Sequence, residues 1–474
     1  MFVGVDAGTS FVKAAAFDGA GRVIAVESMP ARLDVRDGRV EQDPEEIFAA
    51  VGNVLGALSA SAGARSELVG VTGQGDGLWL LGAAGRPVRP AISWMDGRAA
   101  ELLTEWEAQG VTERVFRRTG NTIFPGCPAP LLAWLDRHEP AALDAAATAA
   151  YCKDMVFQRL TGIRATDVSD ASVPFLDPHT RGYDAEAIAA CGLSHRAGLL
   201  APISDPLPGG DATGGLIPAG TPVAGGPFDV PACALGAGVT EPGSGLLIIG
   251  TTLACLVVTD TVALDGEAAG FHFATERPGR WLRGMPAMVG TAALDWVLST
   301  LGLRHADLSV MLASSPPGAN GVRVLPHFAP SGERAPFVEP AARAEFTGVS
   351  LQTTRADLVR ATCEAIAYAA RHCLEAAGLS GELTVAGGGT RSEAWLQIFA
   401  DVLGRPLRLA AEEAGARGAV IAAARRFGRE PDLAQWTLPA GVREPHAVTA
   451  TYYAEGYAGY LDRVGDARLR WRNA

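Results

Sequence analysis

The sequence predicts an α/β protein of two domains, and three observations support this fold class. The chain has 474 residues, which is too long for a single core of usual size. Segments with strand and helix patterns alternate in both halves of the chain. A short strand–turn–strand pattern occurs at residues 2–18 and again at residues 246–260. Because glycine and proline crowd residues 238–245, we place the domain boundary there, giving domains 1–244 and 245–474.

The repeated pattern has the same three parts in both copies. Each copy has an apolar β-rich run, a Gly-Thr pair at a tight turn and a second apolar run that ends in Asp. The pairs are Gly8-Thr9 and Gly250-Thr251. Glycine and hydroxyl residues at the tip of such a ribbon expose backbone N–H groups, which suit phosphate oxygens. Two ordinary hairpins with Gly-Thr turns are the alternative interpretation of this pattern.

The remaining elements follow in order. In the first half, strands are predicted within 1–30 and at 67–74, 79–88, 90–94 and 222–225, and helices at 44–58, 97–109, 129–137 and 153–160. In the second half, helices are predicted at 290–301, 355–377, 392–403 and 415–427, and a strand at 382–386. Asp43 and Thr354 are the expected N-caps of the helices that follow them. The tyrosines of the tail are spaced as on a packed helix face.

Composition excludes several classes of protein. The chain is 48% hydrophobic and 19% charged, as in ordinary soluble globular proteins, and its net charge of −12 argues against a nucleic-acid partner. No run approaches about 20 consecutive apolar residues, so we expect no membrane span. The seven cysteines form no C-x-x-C pair, which predicts reduced thiols and no zinc site. With no leader pattern at the start, we expect a cytoplasmic protein.

Two loops between the repeated ribbons carry polar side chains beside tryptophan. The segment GQGDG at 73–77 contains Gln74 and Asp76, and WMDGR at 94–98 contains Trp94 and Asp96. Carboxylate and amide groups bind hydroxyls, and an indole covers C–H faces, so this set suits a polyhydroxylated ligand. Alternatively, Asp76 forms an Asx turn and Asp96 forms a surface ion pair with Arg98.

A third carboxylate lies in GGPFDVPACALGAG at 225–238. Asp229 follows an apolar strand and precedes small residues that predict a tightly packed helix. It is a candidate general base oriented toward a substrate hydroxyl. Its alternative role is to cap that helix.

These motifs, in this order and over essentially the whole chain, resemble the FGGY family of carbohydrate kinases. The matching segments are VGVDAGTSFVKAAAFD, TGQGDG, W-x-D-x-R, GGPFDVPACALG, IGTT, GERAPF at 332–337, R-A-x-x-E-x-I-A at 360–367 and AGGGTRSEAWLQIFADVLGRP at 386–406. The resemblance implies two ribonuclease H-like (actin-like ATPase) domains with a cleft between them. It also implies ATP and Mg²⁺ as cofactors and a small sugar or polyol as the other partner; a homodimer is left open.

The resemblance assigns roles to individual residues. Asp6 would hold Mg²⁺ through water, and Asp229 would be the catalytic base and would also face the metal ion. The nucleotide's phosphates would bind to a first loop with Gly8, Thr9, Ser10 and Lys13, and to a second loop with Gly250, Thr251 and Thr252. They would also lie near the start of a helix at Gly290. The adenosine would bind at a turn with Gly387, Gly388 and Gly389.

The sugar loop bears on the substrate. Xylulokinases of the family usually have GQMHG here and glycerol kinases an Arg-Glu pair, whereas GQGDG is more similar to the erythritol and related polyol or L-sugar kinases of the family. We therefore expect an ATP-dependent kinase acting on a terminal hydroxyl of a small polyol or ketopentose, such as erythritol, xylitol or xylulose. D-Xylulokinase proper and a non-catalytic, nucleotide-dependent sugar sensor are the alternatives.

Overall fold

The chain forms two units, each built around a mixed β-sheet. The computed structural model describes residues 1–63 and 65–472. Unit 1 consists of Met1–Thr240, Asp260–Leu282 and Ala411–Leu438, and unit 2 of Glu241–Thr259, Arg283–Ala410 and Pro439–Ala474. Residues 260–282 and 411–438, which sequence analysis places in the second domain, thus pack within unit 1.

Strands and helices alternate along the chain. The strands are β1 Phe2–Ala7, β2 Phe11–Phe17, β3 Val23–Pro30, β4 Asp34–Arg36, β5 Arg39–Gln42, β6 Leu68–Gly73, β7 Trp79–Leu81, β8 Ala91–Ile92, β9 Thr148–Ala150, β10 Gly209–Asp211, β11 Pro222–Gly225, β12 Gly245–Ile249, β13 Leu253–Thr259, β14 Phe271–Ala274, β15 Trp281–Ala287, β16 Arg323–Leu325, β17 Glu345–Thr347, β18 Leu383–Ala386, β19 Leu407–Leu409 and β20 Gly441–Arg443. The α-helices are α1 Pro44–Ala62, α2 Ala100–Ala108, α3 Val111–Thr119, α4 Pro128–His138, α5 Pro140–Ala145, α6 Cys152–Thr161, α7 Val168–Ala171, α8 Ala185–Ala190, α9 Asp229–Gly236, α10 Thr291–Thr300, α11 Leu308–Ala313, α12 Arg355–Ala377, α13 Glu393–Leu403, α14 Ala414–Arg426, α15 Leu433–Trp436 and α16 Ala450–Trp471.

The main sheet of unit 1 has the strand order β10-β11-β6-β1-β2-β3. Strands β1, β6 and β11 are parallel to one another, and β1 is antiparallel to β2. Apolar residues of α1, including Ile47 and Val51, pack with Val3 and Val5 on one face of the sheet. Residues of α14 pack with Ala15 and other side chains of the opposite face. The sheet is therefore covered on both faces, as expected for parallel strands.

The sheet of unit 2 repeats this topology. Its strands lie in the order β15-β13-β12-β18-β19-β20. Strand β12 is antiparallel to β13 and parallel to β18, and β18 is parallel to β19. An antiparallel strand, β10 or β20, closes one end of each sheet. The two ribbons noticed in the sequence are thus the β1–β2 and β12–β13 hairpins, in equivalent places of two similar sheets.

Several expected helices begin and end where their caps predict. Helix α12 covers the predicted range, and Thr354 accepts the N–H of Asp357 in a capping box. Asp43 caps α1 by accepting the N–H of Glu45 at 2.8 Å. The tail forms α16, whose tyrosines 453, 457 and 460 are buried in the core of unit 2. Helix α3 was not predicted, because its polar residues mask a short apolar face.

A small sheet has the strand order β4-β5-β8. Its strand β8 lies within the strand predicted at 90–94, whereas β4 and β5 were missed because they are only three and four residues long. The small sheet carries Gln42 at the end of β5, and β8 leads into Trp94.

Among the residues that the structure describes, no helix combines the length and the apolar character needed to cross a bilayer. Each of the seven cysteines is a free thiol, and all except Cys233 are buried.

Helices α9 and α14 approach one another with backbone in contact. A Cβ added at Gly418 would lie 1.8 Å from the carbonyl oxygen of Ala232, and one at Gly236 would lie 1.9 Å from that of Ala414. Only glycine at these positions allows this spacing. The contact is important for the site because Asp229 is the first residue of α9.

We predict that Gly418→Ala lowers the free energy of unfolding by about 3 kcal/mol, because the new methyl group meets backbone that cannot move aside. Gly56→Ala is the control, since this glycine lies within α1 with no atom inside 4 Å of an added Cβ. The control should gain about 0.5–1 kcal/mol. Denaturant unfolding measures both, and a Gly418→Ala protein as stable as the wild type would contradict the close contact.

Candidate active site

The carboxyl ends of parallel strands gather the polar residues of unit 1. Asp6 lies near the end of β1, Gln74 directly follows β6, and Asp229 comes four residues after β11. Since β1, β6 and β11 are adjacent and parallel, these residues share one edge of the sheet. Crevices outside the carboxyl ends of parallel strands are the usual ligand sites of α/β proteins.

Asp6 lies beside charged side chains, and one of its own carboxylate oxygens accepts no hydrogen bond from the described residues. Its Oδ1 is buried and has no hydrogen-bond partner among the described residues. Burial raises the pKa of Asp6 to about 6; the charge of Lys13 opposes this rise and that of Glu413 adds to it. Lys13 Nζ itself lies 3.5 Å from Glu413 Oε2. A carboxylate in this state favours an added cation.

The segment before Asp229 is fixed by three hydrogen bonds. The N–H of Gly226 donates to the carbonyl of Val71 at 2.7 Å. Thr72 Oγ1 donates to the carbonyl of Pro227 at 2.7 Å. The N–H of Phe228 donates to Ser169 Oγ at 3.1 Å. Asp229 therefore occupies the first turn of α9 in a fixed position, with its helix held in turn by α14.

The electrostatic environment of Asp229 opposes ionisation. Burial raises its pKa to about 8, and the charges of Asp6 and Asp76 contribute to the rise. Hydrogen bonds from the N–H groups of Val230 and Gly75 work in the opposite direction. An ordinary aspartate side chain has a pKa of about 4. A group with a pKa near neutrality is a more effective proton acceptor.

The loop after β6 carries Asp76, whose charge acts on Asp229. Asp76 has a φ of 55°, in the left-handed region that Asp tolerates better than most residues. Its neighbour Gly75 leaves no room for a side chain, because an added Cβ would lie 2.5 Å from the ring of Phe228. The loop thus lies directly on the segment that carries Asp229.

Gln74 is buried, and its polar atoms are used within the protein. Its Nε2 donates to Gln42 Oε1 at 2.7 Å, and its Oε1 accepts from Thr9 Oγ1 at 3.3 Å. The indole N–H of Trp94 donates to the same Thr9 hydroxyl at 2.9 Å. The predicted contacts of Gln74 and Trp94 with substrate stay predictions, and so does that of Thr9 with phosphate.

Asp96 is engaged by four donors. Its carboxylate accepts from the N–H of Val40 at 2.6 Å, from the N–H of Arg98, and from the Nε and Nη2 of that guanidinium at 2.8 and 2.9 Å. Both side chains are almost fully buried. The ion pair that the sequence suggested at the surface is therefore an internal one. Asp96 holds the Trp94 loop against β5, and its contact with substrate stays a prediction.

The turn that is predicted to bind phosphate joins β1 to β2. The N–H of Gly8 donates to the carbonyl of Phe11 at 3.0 Å, which closes the turn between β1 and β2. Ser10 is exposed at the tip of this turn. Lys13 is paired with Asp6 in the register of the two strands.

In unit 2, a cavity of about 710 Å³ lies at the carboxyl ends of β12 and β18. Four of the predicted nucleotide-binding residues line it: Gly250, Thr251, Gly388 and Gly389. The other predicted residues of unit 2, Thr252, Gly290 and Gly387, lie next to these in the chain or in space. A Cβ at Gly290 would lie 2.4 Å from the carbonyl oxygen of Thr251, and the N–H of Gly250 donates to the carbonyl of Thr252. Gly387 has a φ of 93°, which favours glycine.

Several residues of these sites were not predicted from the sequence. Asp295 and His305 line the cavity of unit 2 and pair with each other at 2.6 Å. In unit 1, Glu413 and Gln42 lie beside predicted residues. Gln42 directly precedes Asp43, the predicted N-cap of α1, and no local pattern marks it as part of a site. Glu413 is far from Asp6 in sequence, so no local signal could place them together.

Comparison with known proteins identifies the group to which this architecture belongs. Residues 1–236 match the N-terminal domain of the FGGY family of carbohydrate kinases, and residues 245–427 match its C-terminal domain. The chain belongs to the FGGY family of carbohydrate kinases. It is similar to the erythritol kinase of Brucella abortus (strain 2308), with 35% identity over 98% of this chain and 95% of that protein.

Other relatives are named as xylulose kinases. The xylulose kinase of Escherichia coli (strain K12) is 31% identical over 96% of each chain. The crystal structure of xylulose kinase from Rhodospirillum rubrum superposes with a TM-score of 0.90 at 31% identity, covering 99% of both chains. The expected fold class, two actin-like α/β domains, is confirmed, as is an ATP-dependent sugar or polyol kinase with relatives of the erythritol and xylulose type.

Proposed function

We propose that this kinase transfers the γ-phosphoryl group of ATP to a terminal hydroxyl of a small polyol, with erythritol as the preferred acceptor and Asp229 as the general base. The observation that carries this proposal is the loop Gly73–Gly77, where Gly75-Asp76 stands in place of the Met-His pair expected of a xylulose kinase and Asp76 lies near enough to Asp229 for its charge to raise that pKa. The similarity to an erythritol kinase over nearly the full chain supports the same acceptor.

In the proposed reaction, the acceptor oxygen forms a bond to the γ-phosphorus as the bond from that phosphorus to the β-phosphate oxygen breaks. Asp229 orients the hydroxyl and takes its proton, and ADP leaves. A loose transition state allows this proton to move late. A carboxyl with a raised pKa accepts the proton more readily than an ordinary one.

The residues around Asp6 fit a magnesium ion. Its Oδ1 has an unused acceptor site, and Gly415 leaves space, because an added Cβ would lie 3.1 Å from Asp6 Oδ2. No group of three or more metal-binding side chains occurs in the described part of the chain. This matches Mg²⁺, which keeps several waters and binds through one or two carboxylates and phosphate oxygens. When bound, the ion supplies positive charge that neutralises the transferring phosphates.

The proposed role of Asp76 is to bind hydroxyls of the acceptor. A carboxylate offers two oxygens to adjacent hydroxyls of an open-chain polyol. Its position beside Asp229 places this contact next to the hydroxyl that reacts. The cavity of unit 2 is the proposed site of the adenosine, and the turns at Gly8 and Gly250 are proposed to bind the phosphates.

Phosphorylation of xylulose is the second candidate. The xylulose kinases of E. coli and R. rubrum, each 31% identical to the chain, favour it. A ketose and a polyol of similar length differ at one carbonyl group, so a direct comparison of acceptors separates the two functions.

The test is a coupled assay of ADP release with Mg·ATP and a panel of erythritol, xylitol, D-xylulose, L-xylulose, ribulose and glycerol. We expect erythritol to give the highest kcat/KM. Asp229→Asn should lower kcat by about 10²–10⁴-fold, because the proton acceptor is lost while the shape is kept. Binding of ATP to this variant, measured by calorimetry, should stay close to that of the wild type.

Two results would count against the proposal. If D-xylulose were the best acceptor, the polyol assignment would be wrong. If no acceptor raised ADP release above the background without acceptor, the proposed reaction itself would be wrong.

For Asp76, we predict that Asp76→Asn raises the KM for the best acceptor by about 10- to 100-fold, since a charged hydrogen-bond acceptor is lost at a hydroxyl. The KM for Mg·ATP should stay within about twofold. Asparagine tolerates the left-handed backbone, so the loop is kept. Asp37→Asn is the matched control, because Asp37 is exposed and has a φ of 49°. Equal acceptor KM values in wild type and Asp76→Asn would make Asp76 a structural residue.

A further inference from the structure

A closed set of hydrogen bonds connects the turn at Thr9 with the loop at Gln74, through a residue that belongs to neither. Gln42 Nε2 donates to the carbonyl oxygen of Thr9 at 3.2 Å, while its Oε1 accepts from Gln74 Nε2 at 2.7 Å. The Thr9 hydroxyl donates to Gln74 Oε1 at 3.3 Å and accepts from the Trp94 indole at 2.9 Å. We call Thr9, Gln42, Gln74 and Trp94 the amide ring.

The two glutamines of the amide ring are out of contact with solvent. Gln42 is 2% exposed and Gln74 is 1% exposed. The second amide hydrogen of Gln42 faces the carbonyl of Arg32 at 3.4 Å, and the thiol of Cys152 hydrogen-bonds with Gln74. Buried amides of this kind cannot exchange a lost partner for water, so removing one partner leaves a buried polar atom without a hydrogen bond. The network therefore has one preferred arrangement.

The small sheet supports the ring from outside. Gln42 pairs with Ala91 across β5 and β8, and the N–H of Ser93 donates to the carbonyl of Val40 at 2.9 Å. Glu41, next to Gln42, binds the same buried guanidinium of Arg98 that holds Asp96. One rigid element thus presents both Gln42 and Trp94 to the Thr9 turn. The buried Asp96–Arg98 pair thus supports the element that carries Gln42 and Trp94.

We propose that Gln42 is a positioning residue for phosphoryl transfer: its side-chain amide fixes the phosphate turn at Thr9 and the acceptor loop at Gln74 in one relative position. This inference rests on the proposed function, in which the Thr9 turn binds the γ-phosphate and Asp76, two residues after Gln74, binds the acceptor. In-line transfer depends on the distance between these two ligands. A displacement of about 1 Å between reacting groups can cost 10²-fold in rate.

Gln42→Met tests the inference, because methionine has a similar length and neither donates nor accepts as an amide does. We expect kcat with the best acceptor to fall by about 10- to 100-fold. The KM values for Mg·ATP and the acceptor should stay within about threefold, because Gln42 lies behind the residues that would touch them. Gln109→Met, at an exposed position after α2, is the matched control and should leave kcat unchanged.

A second variant tests the same amide ring at Trp94, which is partly exposed. Trp94→Phe removes the indole N–H from the Thr9 hydroxyl at a partly exposed position, and should lower kcat by about 3- to 10-fold. If the ring acts as one unit, the Gln42→Met/Trp94→Phe double variant loses less than the product of the two single losses.

The outcomes separate this inference from the proposed function. A wild type without acceptor-dependent ADP release would overturn the proposed function. An active wild type with wild-type kcat in Gln42→Met, or with multiplicative losses in the double variant, would overturn the role of Gln42. If the Gln42→Met protein does not fold, Trp94→Phe and Gln42→Glu replace it as the test. In Gln42→Glu, the acceptor for Gln74 is kept and the donor to Thr9 is lost. Wild-type kcat in both of these would equally overturn the role.

Discussion

The burial of several carboxyl groups at one edge of a sheet is the constraint around which unit 1 is arranged. Strands β1, β6 and β11 are parallel, so the residues that follow them meet. Burial raises the pKa of Asp229 to about 8, and the charges of Asp6 and Asp76 add to this rise. Such an arrangement costs stability in the free protein. The proposed function accounts for this cost, because the same groups would bind a magnesium ion and phosphates and accept the proton of a hydroxyl.

The rest of unit 1 keeps these groups from moving apart. Helix α9 holds Asp229 by the backbone contact of Gly236 and Gly418 with α14, and the segment before it is bonded to β6 and to Ser169. The amide ring fixes the loops from the other side. Unit 2 has the same topology, and its strand ends carry glycine and threonine beside a cavity. The duplicated sheet thus supports two different chemical environments.

The fold and much of the candidate site could be predicted from the sequence, because strand periodicity, caps and motif order are local signals. The Asp43 and Thr354 caps and the ends of α12 are of this kind. Long-range packing could not be predicted. The return of residues 411–438 to unit 1 places Glu413 and Gly415 beside Asp6, and two short strands bring Gln42 to Thr9. The raised pKa of Asp229 arises from this packing, and no pattern near Asp229 in the sequence predicts it.

The most direct test of the account is the pH dependence of stability in wild type and Asp229→Asn, measured by denaturant unfolding without nucleotide. The pKa of Asp229 is about 8 in the folded chain and near 3.8 when unfolded, so between these values the folded state binds the extra proton. Stability contributed by the protonated group is therefore lost as the pH rises from about 4 to about 8. Asparagine cannot ionise, so the variant should become more stable than the wild type by an amount that grows from pH 5 to pH 8.5. A difference that stays constant over this range would contradict the claim that the site of Asp229 opposes its ionisation.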